Sequence, residues 1–404
     1  MKLDKNFFYS IIATISLPVS NIVAVLLVSR YLDKAIFGEY SLSMTIIQGI
    51  AFVLSSGVQE SSRRYVNTLN NKEFNRKYGF LLSVSLTITF IVSVLIFSIF
   101  YNDLYDYITI LQISMIAILL PLIRFSINLD NYYEKYLRFA TNKVLFSLAT
   151  IIVPVSVAII INESTYTMIL SLTLGLVFMF VGNKGGVAKY FNFNKNYFDK
   201  DIFKYAVIIT FSSIASWLIS FSDRILISKY LSTSELAIYI VNVQLSGTVS
   251  LLSMVISIYY FPTIYRKFEL ETKAQLKKIR NIKLVIFFLT IIGSLIYFIF
   301  GKAILQLVLS DYYNVQSFDV VYILLLSNVA LIYVNLSSVI LSIKNKMIFN
   351  TLAFFIGAAV NLVINILYIE QYGVIVAAIS TLVAYVIISM LVSCFSSKYK
   401  HVTS

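Results

Sequence analysis

Two adjacent charges, Asp223 and Arg224, stand inside an apolar run from Tyr205 to Ser228. At the centre of a lipid-facing helix each would cost about 2.5–3.5 kcal/mol, so the pair is expected to face a polar interior. A carboxylate there can take a proton or a cation, and a guanidinium suits phosphate oxygens. Ser213, Ser216, Ser220 and Asp223 recur at helical spacing and share one face, with Arg224 beside it.

Other spans carry further candidates. Arg124 follows Pro121 and precedes Asn128, with Asp130 at the cytoplasmic end of the run. It is either a functional cation or a side chain that snorkels to the head groups. Gln48 lies on a helical face with Ser41, Thr45, Ser55, Gln59 and Ser62, and Glu60 stands next to the cytoplasmic end of that face. A second stripe is Asn242, Ser246, Ser250, Ser253 and Ser257. Both stripes fit close helix packing and cavity lining equally. Gln48 is expected to face the cavity, because a buried amide needs several partners. Asn328, Asn335, Asn361 and Asn365 read as structural.

Catalytic signatures are missing, so no catalytic residue and no cofactor is expected. The single cysteine, Cys394, and single histidine, His401, exclude an internal disulfide and a Cys/His metal centre, and no metal ligand set is assigned. There is no Gly-rich phosphate loop with its lysine, hence no site for ATP hydrolysis. Asp103 and Asp106 could mimic the acidic pair of a glycosyltransferase, but their loop is too short to fold around a sugar donor. A solvated loop is the better reading.

The elements that must position these residues follow from composition. A 404-residue chain with 59% hydrophobic and 13% charged residues and a mean hydropathy of +0.85 is a polytopic membrane protein. Apolar runs of spanning length predict 12 helices. In the first half they are Phe8 to Val28, Tyr40 to Val58, Tyr78 to Phe100, Tyr107 to Leu129, Val144 to Ile161 and Tyr166 to Val181. In the second they are Tyr205 to Ser228, Leu236 to Tyr260, Leu284 to Phe300, Val320 to Leu341, Ile348 to Ile369 and Val374 to Cys394. The weakest boundary is Gly301 to Asp319, where a short outer helix could form. The first run is too long for the core of a signal peptide and is expected to stay as an uncleaved span.

Charge then orients the chain. All but six of the 32 lysines and arginines fall in connections on the N-terminal side. The six are Arg30, Lys34, Lys229 and Lys302 in the opposite loops, and Arg124 and Arg224 within spans. By the positive-inside rule both termini are expected to be cytoplasmic. Topology and attraction to anionic lipid account for the net charge of +13, and no nucleic-acid partner is expected.

The chain also repeats itself. Ser29-Arg30-Tyr31-Leu32 followed by Tyr40 returns as Ser228-Lys229-Tyr230-Leu231 followed by Tyr239, offset by 199 residues. Six spans per half is an even number, so the two halves are expected to be parallel repeats. The expected organisation is residues 1–182 as the first lobe, 183–204 as a cytoplasmic linker containing Gly185-Gly186, 205–394 as the second lobe, and 395–404 as a cytoplasmic tail. Pro18, Pro121 and Pro154 lie inside spans, where each favours a kink, and Pro262 lies at the cytoplasmic end of the eighth.

Arg30-Tyr31-Leu32 followed by Phe37-Gly38-Glu39-Tyr40 resembles a segment of the Wzx-type polysaccharide flippases of the MATE-like MOP exporter superfamily. Ser222-Asp223-Arg224 with Tyr230-Leu231 and Tyr239 is similar to the start of their second half, although Leu236-Ala237 replaces the Phe-Gly pair there. The resemblance implies an all-α integral membrane protein with 12 transmembrane helices in two parallel six-helix bundles around a central cationic cavity. It implies a flippase of the bacterial cytoplasmic (inner) membrane. Its substrate would be undecaprenyl-pyrophosphate-linked oligosaccharide for O-antigen, lipopolysaccharide or capsule biosynthesis, moved to the outer leaflet by alternating access.

Carried over, Arg30 and Arg224 would lie near the outer end of that cavity and Arg124 nearer its cytoplasmic end. Asp223 would keep Arg224 paired or take up a coupling cation, H⁺ or Na⁺, and Glu60 is a second candidate for coupling or charge pairing. Membrane lipids and polysaccharide polymerase machinery are the implied partners. Two rivals stay open. A cation-coupled drug or metabolite antiporter of the same superfamily would favour more acidic residues in the spans. A membrane-embedded polysaccharide polymerase or glycosyltransferase would need a larger outer loop.

Overall fold

An apolar run in hydrocarbon has no water to satisfy its amides, so helix is the one local structure open to a single segment. The computed structural model describes residues 5–66, 69–101, 105–161, 164–182, 192–249, 273–309, 317–343 and 346–398, and among these it is helical with no strand. Eleven helices among the described residues are long and apolar enough to cross a membrane. The expected eighth span is described only as far as Val249. Ser250, Ser253, Ser257, Pro262, Asp103, Gly185 and Gly186 lie outside the described residues. The chain is an all-α, multi-pass integral membrane protein.

The helices of the first half are α1 (Lys5–Tyr31), α2 (Lys34–Tyr65), α3 (Asn71–Phe100), α4 (Tyr107–Tyr132), α5 (Tyr136–Ser147), α6 (Val153–Ile161) and α7 (Thr165–Gly182). Their starts are written locally. Asp33, Asn70 and Asp106 each accept a backbone N–H from the first turn that follows them, which satisfies amides the helix cannot. α5 and α6 are one helix interrupted by a π turn at Leu148–Ile152. Pro154 just beyond it has no N–H and crowds the preceding turn, and the wider turn absorbs that mismatch.

The second half comprises α8 (Lys200–Tyr230), α9 (Thr233–Ser246), α10 (Lys273–Val308), α11 (Ser317–Ile343), α12 (Met347–Tyr372) and α13 (Val374–Lys398). The repeat recurs in the helix boundaries. α1 ends at Tyr31 and α2 starts at Lys34; α8 ends at Tyr230 and α9 starts at Thr233. Both pairs keep the offset of 199 residues. The caps match as well, since Asp33 corresponds to Ser232, whose hydroxyl accepts the Glu235 N–H at 3.1 Å. Two boundaries differ from expectation. α10 runs on to Val308, because Ala303 to Val308 extends its apolar pattern without a breaker. The fifth span starts at Tyr136 instead of Val144, and so takes Lys143 into the helix.

Packing divides the chain into two compact units, Met1–Leu27 with Tyr31–Trp217, and Val28–Arg30 with Leu218–Ser404. The division falls inside α8 rather than in the 183–204 segment. In the first unit, Val58, Phe74, Tyr78, Leu82, Phe125, Leu129 and Ile202 form a core. α3 presents Ile88, Ile91, Leu95 and Ile99 outward at helical spacing, as expected of a lipid-facing stripe. A Cβ on Gly49 would run into the Trp217 ring, and one on Gly57 into the Ala206 carbonyl, so α2 and the first part of α8 approach closely at glycines. In the second unit Ile219, Val334, Leu341, Ala353, Tyr385, Ile388 and Val392 form the core, and α13 packs along both α11 and α12.

Candidate functional site

Asp223 is 3% exposed. One of its carboxylate oxygens accepts the Arg224 backbone N–H at 2.8 Å, and the other accepts the Tyr239 hydroxyl. The tyrosine is fully buried and also bonds Thr381 of α13. From Thr381 the polar contacts continue into α12. Asn361 Nδ2 lies 3.4 Å from the Thr381 hydroxyl and donates to Ser380 at 3.0 Å. Ser380 donates in turn to Asn365 Oδ1 at 3.0 Å, and Asn365 Nδ2 reaches Asn361 Oδ1 at 3.3 Å. The Ser222 hydroxyl closes the circuit at 3.4 Å from Asn361 Oδ1. Four helices, α8, α9, α12 and α13, thus bring one carboxylate, three hydroxyls and two amides into a single buried network of the second unit. A carboxylate in such a place is tolerable only when hydrogen-bonded or neutralised, and its surroundings are rich in the oxygen ligands that suit a proton or a hard cation.

Arg224 does not pair with Asp223 through its guanidinium. Consecutive residues on a helix point about 100° apart, and Tyr239 already occupies the carboxylate. The guanidinium instead lies over the Phe221 ring at 4.6 Å, and its Nε is buried without a hydrogen-bond partner among the described residues. Arg30 is exposed and donates to the Leu307 carbonyl at 3.1 Å, in the last turn of α10. Cations favour that end of a helix.

In the first unit Arg124 lies over the Phe146 ring at 5.5 Å, and no carboxylate pairs with it among the described residues. Asp130, on the same helix, is taken by Asn142 at 3.0 Å and Arg138 at 3.4 Å. Gln48 is half-buried in α2 and has no hydrogen-bond partner among the described residues. Its stripe mates differ. Thr45, Ser55 and Ser62 are buried and donate back to carbonyls of their own helix, which favours packing for that part of the face. Glu60 is exposed, near Arg63 and Tyr132. The structure therefore gathers Asp223 with residues of the second unit, and holds Arg30, Gln48, Glu60 and Arg124 at separate places.

The sequence model of a family described as polysaccharide biosynthesis protein matches residues 27–289, more than half of the chain. The chain belongs to this polysaccharide biosynthesis family. No curated protein matches it in sequence. Among solved structures it is similar to the lipid II flippase MurJ in an inward closed conformation, with a TM-score of 0.75 and 14% identity over 97% of this chain and 87% of that one. It is also similar to an outward-facing multidrug resistance MATE transporter of the MOP superfamily, with a TM-score of 0.71 and 9% identity over 98% and 94% of the two chains. The Vibrio cholerae MATE transporter VcmN in a mutant form gives 0.66 and 12% over 98% and 95%. The fold is that of the MOP superfamily, and the chain is a lipid-linked flippase or transporter of that kind.

The family match includes Arg30, Gln48, Glu60, Arg124, Asp223 and Arg224, whereas Asn361, Asn365 and Thr381 fall beyond it. Sequence reading ranked the two asparagines as structural and used Tyr239 only as a word of the repeat. The available signal was their number: two amides four residues apart in one apolar span need partners. The repeat also exposes an asymmetry in this family member. The position matching Asp223 in the first half is Ala24, and Tyr40, the mate of Tyr239, is buried with its hydroxyl unpartnered among the described residues.

Proposed function

We propose that this protein moves undecaprenyl-pyrophosphate-linked oligosaccharide units from the cytoplasmic to the outer leaflet of the bacterial inner membrane, for surface polysaccharide such as O-antigen or capsule. The observation that carries the reading is Arg124: a guanidinium within a candidate span, without a carboxylate among the described residues, in a chain of a polysaccharide biosynthesis family. Sugars and a pyrophosphate are too polar to cross hydrocarbon unaided, while the lipid tail can stay in the bilayer. The protein needs to supply hydrogen bonds and cations along the way, with Gln48, Arg30 and Arg224 as further contacts. Alternating access accomplishes this without a covalent step.

Coupling is assigned to Asp223. Binding of H⁺ or Na⁺ at this carboxylate would neutralise it and change the balance of the Tyr239 and Asn361 network, and four helices share that network. Glu60, exposed at the other end of the chain, is the weaker coupling candidate. Both termini face the cytoplasm in this reading, and a polysaccharide polymerase receives the product in the outer leaflet.

Deletion of the gene, followed by complementation, tests the function. Lipid-linked oligosaccharide should accumulate in the inner leaflet while surface polysaccharide disappears, and the wild-type chain should restore both. Normal surface polysaccharide in the deletion strain, with altered drug tolerance instead, would replace this reading with the antiporter one.

A further inference from the structure

Lys143 entered the sequence reading as one of many cytoplasmic charges that set topology. The structure gives it a neighbour. α4 and α5 form a tight antiparallel hairpin turned at Tyr133, Glu134 and Lys135, so positions equally far from the turn lie at equal depth. Arg124 and Lys143 are such a pair, each about 11 Å along its helix from the turn at 1.5 Å per residue. Both cations lean on the same buried ring: Arg124 lies 5.5 Å and Lys143 6.0 Å from the centre of Phe146. The Arg124 charge acts directly on Lys143.

Two like charges inside candidate spans repel, and a polarisable ring offsets only part of that cost. A carboxylate would be the usual remedy. Among the described residues neither cation has one, since Asp130 is engaged by Asn142 and Arg138. Both side chains are half-buried rather than sealed in, so a ligand at membrane depth can reach them. An anion carrying about two charges on adjacent oxygens would relieve the repulsion and satisfy both donors.

We propose that Arg124 and Lys143, braced on Phe146, form a binding site for a lipid-borne phosphate or diphosphate at the cytoplasmic end of the first unit. The depth selects a lipid head group over a soluble anion, because the ligand must reach into the spans. The inference rests on the flippase reading only for the identity of that lipid: the diphosphate of the cargo, or a resident anionic phospholipid.

The test uses the full-length protein in phosphatidylcholine nanodiscs, with native mass spectrometry reading retention of undecaprenyl diphosphate, phosphatidylglycerol or inorganic pyrophosphate. Lys143→Gln and Arg124→Gln should each weaken retention of a lipid phosphate about tenfold or more, the scale of one charge-assisted contact. Lys143→Arg should restore it, and Lys135→Gln should leave it unchanged. A Lys143-dependent preference for undecaprenyl diphosphate assigns the site to cargo, and equal retention of phosphatidylglycerol assigns it to resident lipid. If Arg124→Gln does not fold, Arg124→Lys and Lys143→Gln carry the test. Undiminished retention of every probe by Lys143→Gln overturns the site while leaving the cargo reading in place. Lys143-dependent lipid binding by a chain whose deletion spares surface polysaccharide would do the reverse.

Discussion

The hydroxyl of Tyr239 donates to the carboxylate of Asp223, sixteen residues earlier, and both groups are buried. That bond ties α9 to α8 at the one mid-span carboxylate the sequence singled out. If Asp223 couples cation binding to helix movement, Asp223→Asn should keep the shape and hydrogen bond but lose the charge. Surface polysaccharide should then fall about tenfold or more, the upper range of ordinary coupling energies, at matched protein level. Tyr239→Phe should cost only about 0.6–1.7 kcal/mol of stability, as interhelical hydrogen bonds in membranes do, measured by thermal unfolding in detergent.

Asn361 is fully buried and touches Ser222, Ser380, Thr381 and Asn365. Replacing it with Ala strands several of those groups, and each buried unsatisfied group costs about 1–3 kcal/mol. Asn361→Ala should lower the melting temperature clearly. The exposed Ser397→Ala should not, and equal melting of the two would remove the network from the stability argument.

Gly57 is a contact and Gly293 is not. A Cβ at Gly57 meets the backbone carbonyl of Ala206, which cannot step aside, whereas nothing lies within 4 Å of one at Gly293. Gly57→Ala should therefore destabilise by about 1–3 kcal/mol. Gly293→Ala should be neutral or stabilise by up to about 1 kcal/mol through reduced backbone freedom. Chemical denaturation in mixed micelles would rank them.

Asp199, outside the spans, fastens the segment before α8 to α3. Partial burial raises its carboxyl, but the Ile202 N–H and the Lys77 ammonium at 2.9 Å outweigh that and leave it below the usual carboxylate range. A carboxylate depressed in the folded state contributes stability above its unfolded value, about 3.9. That contribution is lost as pH falls through the lower folded value. Wild-type melting temperature should drop on acidification below about pH 4. Asp199→Asn should be less stable at neutral pH and show a shallower drop.

Orientation is directly measurable. Phosphatase fusions after Lys398 should be inactive and fluorescent-protein fusions there bright, as cytoplasmic sites are. The opposite pattern would invert every statement about leaflets.

Much of this was legible in the chain. Hydrophobic run length places a helix wherever lipid forbids any other way to satisfy backbone groups, and the boundary words of the repeat recur as helix ends and caps because caps are local chemistry. Arg224 and Lys143 were not legible in the same sense. Their neighbours on the page of the sequence, Asp223 and Asn142, are not the groups their charges meet; Phe221 and Phe146 are.

The sequence by itself determined that this is a polytopic helical membrane protein, duplicated at 199 residues, with Asp223, Arg224 and Arg124 as charges in unusual places. Those properties are written in run length, charge alternation and short-range spacing, each summed along the chain. The tertiary structure alone decided that Asp223 bonds Tyr239 rather than the Arg224 guanidinium, that Asn361 and Asn365 join its network, and that Arg124 meets Lys143 across a ring. Those outcomes depend on which helix faces pack together. In a bilayer hydrophobicity scarcely distinguishes one apolar face from another, so the choice falls to small residues, hydrogen bonds and shape, which only the packed structure brings together.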